Sequence, residues 1–266
     1  MNLNLVRHFE GIPNPKTTKL PFLLPLLLAA LFVAGWELTV RLTDLPAFIL
    51  PSPALVAARF LRALADGTLL YHAAVTFVQV VSGLFAGVLS ALLLGYAIAK
   101  SRLFERLVSP FLVASQAIPI VAIAPLLVIW FGPGMFSKVL IGALIVFFPV
   151  LVNTVVGLRA VPRSLYELMR SLRASRWQIL RLLEIPAAMP VFLGGLRIGA
   201  TLSVIGSVVG ELVGADRGLG FLINVGRGQY DTALVFVAVF TLIALALALY
   251  GVVLLLESRL LAWQRQ

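Results

Sequence analysis

The chain has 266 residues, 61% of them hydrophobic and only 12% charged, with a mean hydropathy of +1.05. A soluble domain carries roughly 25% charged residues, so the soluble classes are excluded and an all-α, polytopic membrane protein is expected. The net charge of +10 is read as the positive-inside bias of such a protein rather than as a nucleic-acid footprint. The lack of cysteine and the isolation of His8 and His72 exclude disulfides, thiolate metal sites and a His-rich metal cluster.

A helix needs about 20 apolar residues to cross a ~30 Å hydrocarbon core. Six segments qualify: 20–40, 72–99, 108–130, 137–158, 187–213 and 232–256. Residues 1–19 form a polar tail with Arg7, Lys16 and Lys19. The first apolar run follows this basic tail as a signal peptide would. It is too long and lacks a clear cleavage site, so it is read as a retained first span. Together with an outer segment it makes up residues 20–66. There, two prolines in LPSP precede a short amphipathic helix that opens after Ser52 and ends at Gly67. Its apolar face (Leu55, Val56, Phe60, Leu61, Leu64) lies either on the membrane surface or against neighbouring spans.

The main transmembrane domain is expected over 67–257, followed by a short tail at 258–266. The second span carries small residues at Gly83, Gly87, Ala91 and Gly95, a ladder that lets another backbone approach closely. Residues 100–106 read as a short basic loop. The third span holds Pro119 and Pro125 and is expected to be kinked. Gly132-Pro133-Gly134 turns into a fourth span with Pro149 and Asn153. The fifth span has Gly195, Gly199, Ser203 and Ser207 on one stripe and Gly206, Gly210 and Gly214 beside it, the strongest helix-packing pattern in the chain. The segment 221–231 is too polar to span.

Between the fourth and fifth spans, residues 159–186 interrupt the apolar text with Arg159, Arg163, Arg170, Arg173, Arg176 and Arg181. Ser164-x-x-Glu167 reads as a capping box after Pro162, with Leu165, Leu168, Met169 and Leu172 on one helical face. Ser175-x-x-Gln178 restarts the pattern and Pro186 is expected to stop it. Lysine and arginine concentrate on the tails, 100–106 and 159–181. This puts both termini and the 159–186 loop on the cytoplasmic side.

This loop resembles the EAA loop of ABC importer permeases with the type-1 transmembrane domain. Glu167 matches the pattern's Glu, Leu168 and Met169 stand for the alanines and Arg173 for the Gly. Leu183 stands for the Ile, Ile185 for the Leu, and Pro186 matches the Pro. The stretches LRASRWQILRLLEIPAAMPVFLGGLRIG and AIPIVAIAPLLVIWFGPG, with the early LPSP, look like the nitrate/sulfonate/taurine branch, which includes permeases for pyrimidine precursors and riboflavin. The resemblance covers about 45–260. It implies a six-span permease subunit that pairs with a second copy to form a pore for a small anionic or heterocyclic solute. It implies two cytoplasmic ATPase subunits that use ATP and Mg, an external binding protein, and a prokaryotic cytoplasmic membrane. The coupling residues it implies are Glu167, Leu168, Met169, Leu172, Arg173, Ala174, Ser175, Trp177 and Pro186. No G-x-x-x-x-G-K-[ST] loop occurs, so this chain is expected to bind no nucleotide itself.

Each role has a plainer counterpart. Glu167 is either a contact or half of a cap; Leu168, Met169, Leu172 and Trp177 face either a partner groove or lipid. The arginines meet either acidic partner residues or anionic headgroups. Arg197 and Glu211, costly inside a span, are pathway candidates or snorkel to their interfaces. Gln79, Gln116, Asn153, Thr201 and Ser203 line a pore or bond between helices. A stand-alone secondary transporter or channel is the competing reading. It is disfavoured by the absence of inverted repeats. A membrane-embedded enzyme lacks a nucleophile–base pair.

Overall fold

The computed structural model describes residues 20–265. The tail expected over 1–19, with Arg7, His8, Lys16 and Lys19, lies outside the described residues, as does Gln266. Every regular element among the described residues is helical. Packing divides the described residues into two units that meet between Leu55 and Val56.

In the first unit, helix α1 (Leu20–Thr43) exposes Leu24, Leu27, Leu28 and Leu31, as a lipid-facing helix would. Its last turns hold an ion pair of 2.7 Å from Arg41 to Glu37. The hydroxyls of Thr39 and Thr43 donate back to carbonyls four residues earlier. Helix α2 (Pro53–Ala65), which from Val56 onward belongs to the second unit, opens where the sequence indicates, with the Ser52 hydroxyl accepting the Leu55 N–H at 3.2 Å.

The second unit is built on three long helices: α3 (Thr68–Lys100), α6 (Met135–Arg159) and α9 (Ile185–Gly214). Helix α6 lies between the other two because glycines remove the side chains that would keep the backbones apart. A Cβ on Gly87 of α3 would lie 2.7 Å from the Ala143 carbonyl oxygen, and one on Gly206 of α9 would lie 2.6 Å from the Cα of Gly142. Gly83 and Gly95 meet α6 in the same way from α3, as do Gly195, Gly199 and Gly210 from α9. Between them, Ala91, Ile98, Val146, Val150 and Leu151 form an apolar core.

The third span is not one kinked helix. It consists of α4 (Arg102–Ala117) and α5 (Ile120–Phe131), bent by 96°. The break is at Ile118-Pro119, where both residues are extended. Proline disfavours the helical region for the residue before it and offers no N–H. Counting this pair as one span gives six membrane-crossing elements; the unbroken ones number five. The 100–106 stretch, expected as a loop, is a tight helix–helix corner: Lys100 ends α3, Ser101 is the junction and the rest already belongs to α4. The Ser101 hydroxyl caps that helix by accepting the Phe104 N–H.

Helix α10 (Leu219–Gly228) occupies the segment too polar to span. Ten residues reach only about 15 Å. Helix α11 (Thr232–Leu260) closes the unit. Its N-cap Asp231 accepts the Leu234 N–H at 3.0 Å and pairs with Arg59 of α2 at 2.8 Å.

Candidate functional site

Residues 159–186 contain helix α7 (Arg163–Ser171) and the single turn α8 (Arg176–Ile179). The expected Ser164–Glu167 capping box is absent. Pro162, with φ −60°, is itself the N-cap, so the helix starts two residues early and Ser164 falls inside the first turn. The end of α7 is a Schellman motif: the Ala174 N–H reaches the Met169 carbonyl and the Arg173 N–H reaches Arg170, both at 2.9 Å. That motif puts Arg173 in the left-handed region, φ 54°. The strained joint, rather than a continuous helix, is the outcome at this substituted glycine position. The second capping box is formed, with Ser175 N–H to Gln178 at 2.7 Å and Gln178 N–H to Ser175 at 3.3 Å.

Pro186 does not stop the helix. A π turn at Leu180–Glu184 joins α8 to α9, and the chain runs unbroken from Arg176 to Gly214. A proline ring clashes with the carbonyl four residues back. The wider turn removes the conflict by making an i→i−5 bond, Ile185 N–H to Leu180. The turn after Arg173 is therefore the end of a rod that crosses the membrane.

Both ends of the loop are fixed to the base of the α3–α4 corner. Arg159 donates to both oxygens of Glu105 at 2.7 Å, fork to fork, and to the Ile98 carbonyl at 3.2 Å. Lys100 bonds Glu184, which is 2% exposed, and lies over the rings of Tyr96 and Tyr166 at 5.5 and 5.3 Å. Burial pushes the Tyr166 phenol above its ordinary range. Sequence reasoning missed Lys100, Glu105, Tyr166 and Glu184. The one available signal was an acid, Glu184, set among leucines.

Between these anchors the loop presents apolar surface. Leu168, Leu172 and Trp177 are 54%, 68% and 66% exposed, and Met169 is half-buried. Glu167, freed from any cap, is exposed on the same helix, and Ala174 and Ser175 fill the joint.

The polar residues within the spans are scattered. Gln116 is exposed one residue before the end of α4. The Asn153 amide donates to the Pro149 carbonyl at 2.8 Å and packs on Gly195. Thr201 and Ser203 donate to carbonyls three residues earlier in α9, and Ser203 is buried. Arg197 pairs with Glu257 of α11 and lies 5.7 Å from the Tyr250 ring. Gln79 borders a groove of about 890 Å³ together with Tyr71, Met135, Lys138 and Arg217.

Glu211 is fully buried. It accepts from the Thr76 hydroxyl at 2.7 Å and from the Gly220 N–H at 2.6 Å, at the N-terminus of α10. The Leu219 N–H donates to Thr76 at 2.8 Å and the Gly218 N–H to His72 Nδ1 at 2.9 Å. Lys138, also buried, donates to the carbonyls of Pro133 and Gly214. These groups staple the 215–220 turn to α3, α6 and α9. Among the described residues no three of His, Asp and Glu gather as a metal site requires.

The likeness to known proteins follows the same elements. The family described as "binding-protein-dependent transport system inner membrane component" matches residues 83–262. The riboflavin transport system permease protein of Chloroflexus aurantiacus is 49% identical over 91% of this chain and 90% of its own length. The formylaminopyrimidine transport permease protein of Halalkalibacterium halodurans is 36% identical, over 91% and 96%. The taurine transport system permease protein of Escherichia coli is 34% identical, over 89% and 87%. A MetNI methionine ABC transporter chain, in an inward-facing conformation, superposes with a TM-score of 0.61 at 19% identity, over 71% of this chain and 94% of that one. With a matched segment that runs from the glycine ladder of α3 through the anchored loop to the end of α11, this chain belongs to the family of inner-membrane components of binding-protein-dependent transport systems.

Proposed function

We propose that the chain is the permease subunit of an ATP-driven importer in a prokaryotic cytoplasmic membrane, with both termini inside and two copies forming one pore. Its 159–186 loop takes the thrust of two separate ATPase subunits that use ATP and Mg, and an external binding protein delivers the solute. The observation that carries this reading is the loop itself. An apolar patch (Leu168, Leu172, Trp177) faces outward from a segment whose two ends are tied down, and whose C-terminal half is continuous with α9. A push on the patch must act on a rigid rod through the span rather than dissipate in a flexible loop. An exposed apolar patch of this kind calls for a partner surface.

The cargo we infer is a heterocycle of the riboflavin or pyrimidine-precursor class. Identity is 49% and 36% to the permeases named for such solutes, against 32% and 34% to those named for aliphatic sulfonates and taurine.

The test is co-purification from detergent with the co-expressed ATPase subunit. A stoichiometric complex is expected, lost in Leu168→Asp/Leu172→Asp; a monodisperse active protein without a partner rejects the reading. Since the chain has no cysteine, Trp177→Cys gives a single label site. An impermeant thiol reagent is expected to reach it only after permeabilisation. Uptake of labelled riboflavin and pyrimidines, set against sulfonates, tests the cargo.

A further inference from the structure

Beside the loop lies a second groove, of about 910 Å³, lined by several arginines that the coupling role does not use. It is an open groove bordered by the α3–α4 corner, the end of α6 and α7, and its lining is strongly cationic. Six cations (Lys100, Arg102, Arg106, Arg159, Arg163, Arg170) face two carboxylates, Glu105 and Glu167. Lys100 and Arg159 are satisfied by Glu184 and Glu105. Arg102, Arg106, Arg163 and Arg170 have no ion-pair partner among the described residues. Four exposed guanidiniums around one open groove make a cationic surface that favours an anion.

The surroundings indicate which anion. The groove opens where α3 and α6 end, at Lys100 and Arg159, which is the depth of the headgroups for helices that span the bilayer. Helix α4, which supplies Arg102 and Arg106, has no buried residue. Its Leu103, Leu107 and Phe111, spaced at i, i+4 and i+8, are 70%, 60% and 73% exposed. A cationic groove thus adjoins an apolar strip running away from it along α4. A soluble phosphate would use only the first of these features, and an acidic protein surface would leave the second bare.

We propose that this groove is a binding site for an anionic phospholipid. The phosphate is held by Arg102, Arg106, Arg163 and Arg170, and the acyl chains lie along Leu103, Leu107 and Phe111. The lipid bridges α4 to α7 and so sets how firmly the coupling helix rests on the membrane. The inference uses only the position of the groove at a membrane boundary and does not depend on the cargo or on the ATPase.

The test is native mass spectrometry of the detergent-purified permease titrated with phosphatidylglycerol and with phosphatidylcholine of the same chains. Preferential retention of phosphatidylglycerol is expected. It should fall about fivefold for each arginine removed in Arg102→Gln/Arg106→Gln and in Arg163→Gln/Arg170→Gln. It should be largely kept in the lysine versions of the same pairs, and unchanged in Arg176→Gln/Arg181→Gln, which lie outside the groove. Thermal unfolding of each variant checks that the fold is intact. Equal retention of both lipids overturns the proposal, as does a preference indifferent to the groove arginines. Displacement of the lipid by inorganic phosphate alone would make this a soluble-anion site instead. Loss of ATPase co-purification in the glutamine variants, with lipid retention unchanged, would make it a protein contact. Loss of the Leu168/Leu172 interaction, by contrast, bears only on the coupling reading.

Discussion

The carboxylate of Glu211 occupies the space where a side chain on Gly218 would have to be. A Cβ built on that glycine would sit 2.1 Å from Oε1, and the glycine's φ is +109°. The acid and the turn are therefore made for each other. Glu211 fills the vacancy above Gly218, and the turn answers with the Gly220 N–H. The charge that looked like a pathway residue in the sequence is here a staple between the end of α9 and the start of α10. Gly218→Ala is expected to destabilise the protein by about 2–4 kcal/mol, through overpacking plus a disfavoured backbone. Glu211→Gln keeps the shape but weakens the acceptors, and should cost about 1–3 kcal/mol. Chemical unfolding in detergent reads both, and equal stability of Gly218→Ala and the parent would show that the turn is not so tightly closed.

The joint between α7 and α8 is held against its residue type. Arg173 stands at φ 54° because the Schellman bonds of Arg173 and Ala174 require it there. An L-residue with a Cβ pays about 1 kcal/mol in that region. Arg173→Gly is therefore expected to stabilise the fold by about that much, while Arg173→Ala stays close to neutral. Unfolding midpoints of the two variants give the comparison. A fall in stability for Arg173→Gly would mean that the guanidinium makes a compensating contact.

Much of this is legible in the sequence. The glycine stripes at Gly83/Gly87 and Gly195/Gly199 mark the faces of α3 and α9, because a small-residue ladder is a local pattern. The Ser175–Gln178 box was legible for the same reason. The Ser164–Glu167 box was equally plausible as text, but Pro162 took the cap position first. The partners of the charges could not be read. Lys100 and Glu184 are 84 residues apart, Arg197 and Glu257 60, Arg159 and Glu105 54. Only the packing of α3, α6, α9 and α11 brings them together. Pro119 and Pro186 look alike in the sequence, yet one breaks a span and the other is absorbed by a π turn. The difference lies in what each helix must pack against.

The clamp at Lys100 gives a prediction about pairing. Glu184 is buried, so Lys100→Ala strands its charge, at about 2 kcal/mol once the partial exposure of the lysine is allowed for. Adding Glu184→Gln should recover a large part of that loss, because the neutral amide is cheaper to bury than an unpaired carboxylate. Thermal stability of the single and double variants closes the cycle. If the double variant is as unstable as Lys100→Ala, the cost lies in the lost packing on Tyr96 and Tyr166 and not in the charge.

The π turn leads to the sharpest expectation. It relieves the clash of the Pro186 ring with the carbonyl four residues back, and it inserts one residue into the rod that joins α8 to α9. Pro186→Ala removes the steric reason, and the 180–184 segment is free to close to an ordinary α-helix. Closing the turn by one residue rotates α8 by about 100° relative to α9, which swings the exposed Trp177 away from its present direction. Stability should be unchanged or slightly higher, since one weak turn is replaced by a regular one. Transport should nevertheless fall, because the thrust is delivered to a misaligned patch. The measurement is uptake alongside ATPase co-purification and unfolding. A variant with full uptake would show that the π turn is only a packing solution to a proline; a variant that is stable, yet uncoupled, would show that it sets the register of the coupling rod.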